Sequence, residues 1–360
     1  MKKTLSALVS YALIASMLAG CGSNNLKEDS AAVSSSSSTL EVPSESVSEI
    51  DATEAAETYN VEIENFNRTT VYTEMPERIV SLSYSETEIL VALGLEDKIV
   101  GIAEADNTVD ECAEEYRDTI SGLNVVASST DGGVPTLENL LTVEPDFVYA
   151  TSYSLNAENG VGELADFEKY NMNVYVAATT YKTDCTVNDV YEDIRNIAKI
   201  FKVEDKAEEL ISEMESKFTE IGNITSGVSE PVKAFAYIAG NDTRAATVGG
   251  NSIADDLMTK AGVVNVFGGE QEGTFPVSIE AIVEANPDVI ILFGNSGGSG
   301  TSSAEEKKEL LKSLDVLKDV TAIKEDRFVE IPYFTMCYGT VQNADSVEML
   351  AQAVYPELFE

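Results

Sequence analysis

The chain repeats itself at a spacing of 142 residues. Thr136, Leu137, Glu138 and Leu140 lead into Pro145, Asp146, Phe147 and Val148, and Ser278, Ile279, Glu280 and Ile282 lead into Pro287, Asp288, Val289 and Ile290. In each copy a hydroxyl residue able to cap a helix precedes an apolar, acidic, apolar pattern. A Pro-Asp turn and a short apolar run that reads as a buried strand follow. The copies align without an insertion. A chain that builds helix, turn and strand twice in one register is expected to fold as two similar α/β lobes.

The flanking sequence fits that architecture. Arg78 to Ser83 reads as a strand, and Ser85 with Glu88 reads as a capping box opening a helix that stops at Gly94. Strands are expected over 98–103, 147–151 and 173–178, with a helix near 162–170. Between the copies, Val190, Ile194, Ile197, Phe201, Ala207, Ile211, Met214 and Phe218 recur at helical spacing. Glu204 and Asp205 interrupt the pattern at a kink or turn. At ~1.5 Å per residue the larger half exceeds ~20 Å, enough to join two lobes. The expected fold is α/β, with Rossmann-like lobes over 61–186 and 223–360, an interlobe helix over 187–222 and a ligand cleft between the lobes. A helical joint is a poor hinge, so closure should be small.

The first 20 residues read as a leader. Lys2 and Lys3 precede an apolar stretch over 5–18, short of the ~20 residues of a membrane span. Leu18, Ala19, Gly20 and Cys21 resemble a bacterial lipobox, which implies lipidation of Cys21 and an anchored chain facing outward from the cell membrane. Residues 21–60, rich in serine and acid, are too polar to bury a core and read as a tether.

Composition then excludes whole classes of function. The net charge of −40 argues against nucleic acid, whose phosphates need basic partners. The absence of histidine removes Ser-His-Asp and Cys-His hydrolases and His-ligated zinc, manganese or haem. No enzyme, cofactor or resident metal is expected. Cys112, Cys185 and Cys337 show no metal-ligand spacing; two of them can pair, and sequence does not say which.

One ordered set of motifs carries a resemblance. Pro76, Glu77 and Arg78; Thr87 and Glu88 through Gly94; Leu137 with Glu138; Pro145 with Asp146; Gly249 through Ser252; Ala261 with Gly262; Ser278 with Glu280; Pro287 with Asp288; and Tyr355, Pro356 and Glu357 occur in family order. Over nearly all of 61–360 the chain resembles the iron-siderophore, cobalamin and haem substrate-binding proteins of ABC importers. The resemblance implies a monomer with two lobes, a ligand in the interlobe cleft and delivery to a permease and its ATPase. It also implies that Glu138 and Glu280, one per lobe, dock the permease. Each glutamate has a sufficient local reason as well, since acid in a first helical turn contributes about 0.3–1 kcal/mol.

In open parallel sheets, ligands sit beyond the carboxyl ends of the strands. That rule nominates Tyr84, Tyr153, Arg244, Phe275, Tyr333 and Phe334 as ligand contacts, with Asn295 to Gly298 and Asp131 to Gly133 as further loops. With Arg244 the main cation in these loops and Lys182 a weaker second, a neutral or cationic chelate such as a ferric hydroxamate siderophore is favoured over a tricatecholate. Haem held by Tyr333 or Met336 and a corrinoid beside Phe275 and Pro276 stay open. An anchored enzyme or sensor is the reading from another class.

Overall fold

The computed structural model describes residues 59–105, 107–128, 130, 132–294 and 302–360. The leader, Cys21, the tether up to residue 58, Asp131 and the loop from Asn295 to Gly298 lie outside the described residues. Among those described, no helix is long and apolar enough to cross a membrane.

A hairpin of β1 (Val61–Asn65) and β2 (Arg68–Tyr72) opens the chain. The first lobe follows with β3 (Ile79–Ser81), α1 (Tyr84–Ala92), β4 (Ile99–Ala103), α2 (Glu114–Ser121) and β5 (Val125–Ala127). It continues through α3 (Leu137–Leu141), β6 (Phe147–Ala150), α4 (Leu164–Lys169), β7 (Asn173–Val176) and α5 (Val187–Phe201). Its sheet is parallel throughout, in the order β5-β4-β3-β6-β7. The inner strands β3 and β6 are short apolar runs covered on both faces, which is why they lack alternation.

The helix α6 (Glu204–Thr225) leads into the second lobe. That lobe contains β8 (Lys233–Tyr237), β9 (Ala239–Gly240), β10 (Arg244–Val248), α7 (Ile253–Lys260), β11 (Val264–Asn265), β12 (Thr274–Ser278) and α8 (Ile279–Ala285). It ends with β13 (Val289–Gly294), α9 (Ala304–Ser313), α10 (Thr321–Lys324), β14 (Phe328–Pro332), α11 (Tyr333–Cys337) and α12 (Asn343–Val354). Four strands form a parallel sheet, β11-β8-β13-β14, and three form an antiparallel one, β12-β10-β9.

The repeat has one physical content in both lobes. Thr136 and Ser278 cap α3 and α8, each accepting a hydrogen bond from the amide three residues on. Glu144 and Asn286 take left-handed backbone before the buried prolines, with φ of 45° and 42°. Asp146 then accepts from the amides of Glu77 and Arg78, and Asp288 from that of Lys233. Each aspartate thereby ties the start of one parallel strand to the start of its neighbour. Arg78 adds a clamp in the first lobe, donating to the carbonyls of Val143 and Glu144.

Two expectations need correction. The helical stretch over 187–222 is two helices, broken where Lys202 adopts left-handed backbone with φ of 57°. Glu204 and Asp205 are not an interruption but the first turn of α6, where acid complements the helix dipole. The α5 helix packs on the first lobe, its Phe201 ring meeting Phe147 at 5.2 Å. The helix that joins the lobes is α6, 22 residues or roughly 33 Å long. Lys206, near its start, lies over Gly94, and Thr225, at its end, lies against Gly262.

The second correction concerns α1. It starts at Tyr84 with Ser83 at its N-cap, so the Ser85–Glu88 capping box does not form. Glu88 instead points inward and is fully buried.

Candidate functional site

A cavity of about 310 Å³ opens between the lobes. The first lobe contributes Tyr153 and the segment from Thr179 to Lys182, together with Cys185. The second contributes Val248, Asn251 to Ala254, Gly273, Thr274, Tyr333, Cys337 and Tyr338. Most of these residues follow the carboxyl end of a strand. Tyr153 follows β6, Thr179 to Lys182 follow β7, and Tyr333 follows β14. The start of α7 enters because it follows β10, which ends at the cavity residue Val248.

Aromatic rings cross the lobe boundary here. Tyr153 meets Tyr338 at 6.5 Å, Tyr338 meets Tyr333 at 5.8 Å, and Tyr333 rests on Phe293 at 5.7 Å, all edge to face. Such pairs stack without closing the space between them. The amide of Gly339 donates to Thr179 Oγ1, which draws the second lobe's segment onto the first lobe's wall. A buried carboxylate fixes that wall from behind. Asp193 on α5 accepts from the Tyr175 hydroxyl and the Ala178 amide, both at 2.7 Å. Burial pushes its carboxyl up to about 7, against the pull of those two hydrogen bonds.

Among the described residues, Lys182 is the one charged residue of the lining. It is spent on Asp189 and Glu192, at 2.9 Å each. Burial works against its charge, but the bonds to those carboxylates outweigh it and hold the ammonium protonated. The wall therefore presents tyrosines, hydroxyls and an amide with no uncompensated positive charge. Two thiols line it from opposite lobes, Cys185 and Cys337; they and Cys112 are unpaired, and burial raises all three thiols well above their usual range. No group of three or more metal-ligating side chains occurs among the described residues.

Of the residues nominated from sequence, Tyr153 and Tyr333 line the cavity. Tyr84 is buried with its hydroxyl on Glu104, Phe334 lies in the core, and Phe275 packs on the Phe267 ring at 6.1 Å. Met336 is fully buried as well. Arg244 pairs across from Ser278, at the far end of β10 from Val248. Four residue steps along the strand separate its backbone from that of Val248, about 13 Å. Glu138 and Glu280 are exposed in the first turns of α3 and α8. Thr179 to Tyr181 and Tyr338 were not nominated. The strand-end rule reaches the first group once applied to β7; Tyr338 follows a short helix and leaves no local signal.

Residues 79–333 match the family model described as periplasmic binding protein. The chain is 25% identical over its whole length to a Bacillus subtilis protein named an uncharacterized ABC transporter substrate-binding lipoprotein, all of which it covers. It is 24% identical to the vitamin B12-binding protein of Vibrio parahaemolyticus, over 68% of this chain and 81% of that one. The fold superposes on an ABC-type Fe3+-hydroxamate transport protein of Saccharomonospora viridis with a TM-score of 0.68, at 21% identity over 82% of this chain and 98% of the other.

Proposed function

Because the chain belongs to the periplasmic binding protein family, we propose that it captures a neutral or cationic ferric siderophore, of hydroxamate type, between its lobes and hands it to an ABC permease. It is a binding component of transport, not an enzyme. The observation that carries the ligand class is the charge of the wall: the one cation among its described residues, Lys182, is already paired with two carboxylates. A trianionic tricatecholate would enter a strongly acidic protein and meet no free positive partner there. A neutral chelate needs apolar flanks and a few polar groups, which the rings of Tyr153, Tyr333 and Tyr338, the Thr179 hydroxyl and the Asn251 amide supply.

The cavity of about 310 Å³ is smaller than a whole siderophore, so the chelate would fill it with one part and extend along the cleft. Anchoring through Cys21 and docking through Glu138 and Glu280 complete the proposal. The two glutamates stand at equivalent places of the repeat, so the permease would meet one carboxylate on each lobe. Native mass spectrometry against ferric hydroxamates, ferric tricatecholates, cobalamin, cobinamide and haem tests the reading. A hydroxamate complex alone retained at low ligand excess supports it; retention of a tricatecholate, a corrinoid or haem instead overturns the ligand class.

A further inference from the structure

Behind the cavity wall, the lobes are joined at a carboxyl group that makes no ion pair among the described residues. Glu88 lies on α1 in the first lobe and is fully buried. Its Oε1 accepts from the Ala113 amide of the same lobe and, at 2.8 Å, from Gln342 Nε2 of the second. Gln342 Nε2 also donates to the Glu111 carbonyl. Oε2 accepts from the hydroxyl of Thr340. Thr340 and Gln342 belong to the segment 338–342 between α11 and α12, which begins with the cavity residue Tyr338 and whose Gly339 is tied to Thr179.

The partner on Oε2 decides the chemistry. Two N–H donors converge on Oε1, and these can only donate. The single partner of Oε2 is a hydroxyl, which can turn and accept. A proton placed on Oε2 therefore keeps every bond, with the carboxyl donating to Thr340 Oγ1. The surroundings favour that neutral form. Asp345 acts on Glu88 from α12, its own charge partly offset by an ion pair with Lys217 of α6. Cys112, on the segment leading into α2, and Tyr116, on α2, are both held protonated, with Glu111 beside Cys112. Arg117, a cation on α2, donates to the Cys112 carbonyl rather than to Glu88. On α1 itself, Glu86 is turned to Ser83 and Ser85. Burial pushes Glu88 up to about 7, with its three hydrogen bonds pulling the other way.

We propose that Glu88 is a positioning residue that works as a proton-dependent clasp between the lobes. As a neutral carboxyl it holds the 338–342 segment, and Tyr338 with it, against the first lobe; as a carboxylate it lets that wall loosen. The consequence for capture rests on the cavity being the ligand site, but the clasp does not.

The sign follows from linkage. A carboxyl with a raised pKa in the docked state favours docking at low pH, and the advantage falls as pH rises through the docked value. With about 7 docked and the usual 4.5 when hydrated, the opening constant of the segment grows roughly tenfold from about pH 6 to about pH 8. Hydrogen exchange at the Gly339 and Thr340 amides of the full-length, ligand-free chain, corrected for intrinsic rates, reads this directly. Glu88→Gln presents one oxygen to the two N–H donors and an amide to Thr340, so it copies the neutral form. It should be protected at least as well as the wild type near pH 6 and show no pH response. A flat wild-type profile, or the wild-type response persisting in Glu88→Gln, overturns the clasp. Should that variant not fold, the wild-type profile alone decides, and Thr340→Ser, which keeps the hydroxyl, must retain it. Because no ligand is used, a negative result leaves the siderophore proposal untouched, and failure of the ligand panel leaves the clasp untouched.

Discussion

The twofold Pro-Asp turn predicts an unequal response to one substitution made in two places. Asp146 accepts two backbone amides, from Glu77 and Arg78, each at 2.9 Å. Asp288 accepts one, from Lys233, at 2.9 Å. A hydrogen bond to a charged group contributes about 1.5–3 kcal/mol when buried, and less here, because both side chains are partly exposed and water can replace the lost acceptor. Counting roughly half that value per bond, Asp146→Ala should cost about 1.5–3 kcal/mol and Asp288→Ala about 0.75–1.5 kcal/mol. The asparagine variants sharpen the test. Asp288→Asn retains an oxygen for its single donor and should be close to neutral. Asp146→Asn retains one acceptor and turns an amide toward the second N–H, so it should cost about 1 kcal/mol. Urea unfolding with the slope held constant across the four variants measures the differences. Equal costs in the two lobes, or asparagine variants as damaging as alanine, would show that these bonds do not hold the strand starts together.

Asp193→Asn should gain stability relative to wild type as pH rises. The neutral form of the raised Asp193 carboxyl favours folding below about pH 4, and that contribution is lost through about pH 7, a loss the amide does not share. Thermal unfolding across that window gives the answer, and parallel curves for the two proteins contradict it. Glu138→Lys combined with Glu280→Lys should leave ligand affinity unchanged and cut uptake several-fold, since a basic permease surface would meet like charge. Normal uptake would leave the helix dipole as the whole reason for these acids. Cys21→Ala should leave the chain unprocessed or shed into the medium, because stable anchoring needs more than one acyl chain; unchanged mass and fractionation would rule the anchor out.

The parts of the fold legible in sequence were those where local chemistry and tertiary structure agree. The repeat was visible because the same cap, turn and strand-start contacts are needed wherever a short helix returns the chain to a parallel strand. Gly94 was read correctly as a helix stop, and it takes φ of 68°. The errors share one cause. Ser85 and Glu88 have the spacing of a capping box, yet Glu88 is claimed by Thr340 and Gln342 some 250 residues away, which no local pattern records. Glu204 and Asp205 were taken for a break because a helix start and a helix interruption look alike when Lys202, the residue that turns, is not a glycine. Of the aromatic residues nominated at strand ends, Tyr153 and Tyr333 face the cavity, whereas Tyr84 and Phe334 face the core. Strand ends offer a side chain to either side, and sequence does not choose between them.

The account turns on capture of an uncharged chelate between the two tyrosine-bearing walls. Titration calorimetry of one ferric trihydroxamate against wild type, Tyr153→Ala, Tyr333→Ala and Arg244→Ala tests it most directly. Saturable one-to-one binding is predicted for the wild type, weakened about tenfold or more by either tyrosine substitution, as loss of a desolvated aromatic contact worth over ~1.4 kcal/mol requires. Arg244→Ala should bind as the wild type does. Binding that ignores both tyrosines and disappears with Arg244 would contradict the account, and would move the ligand to the other end of β10.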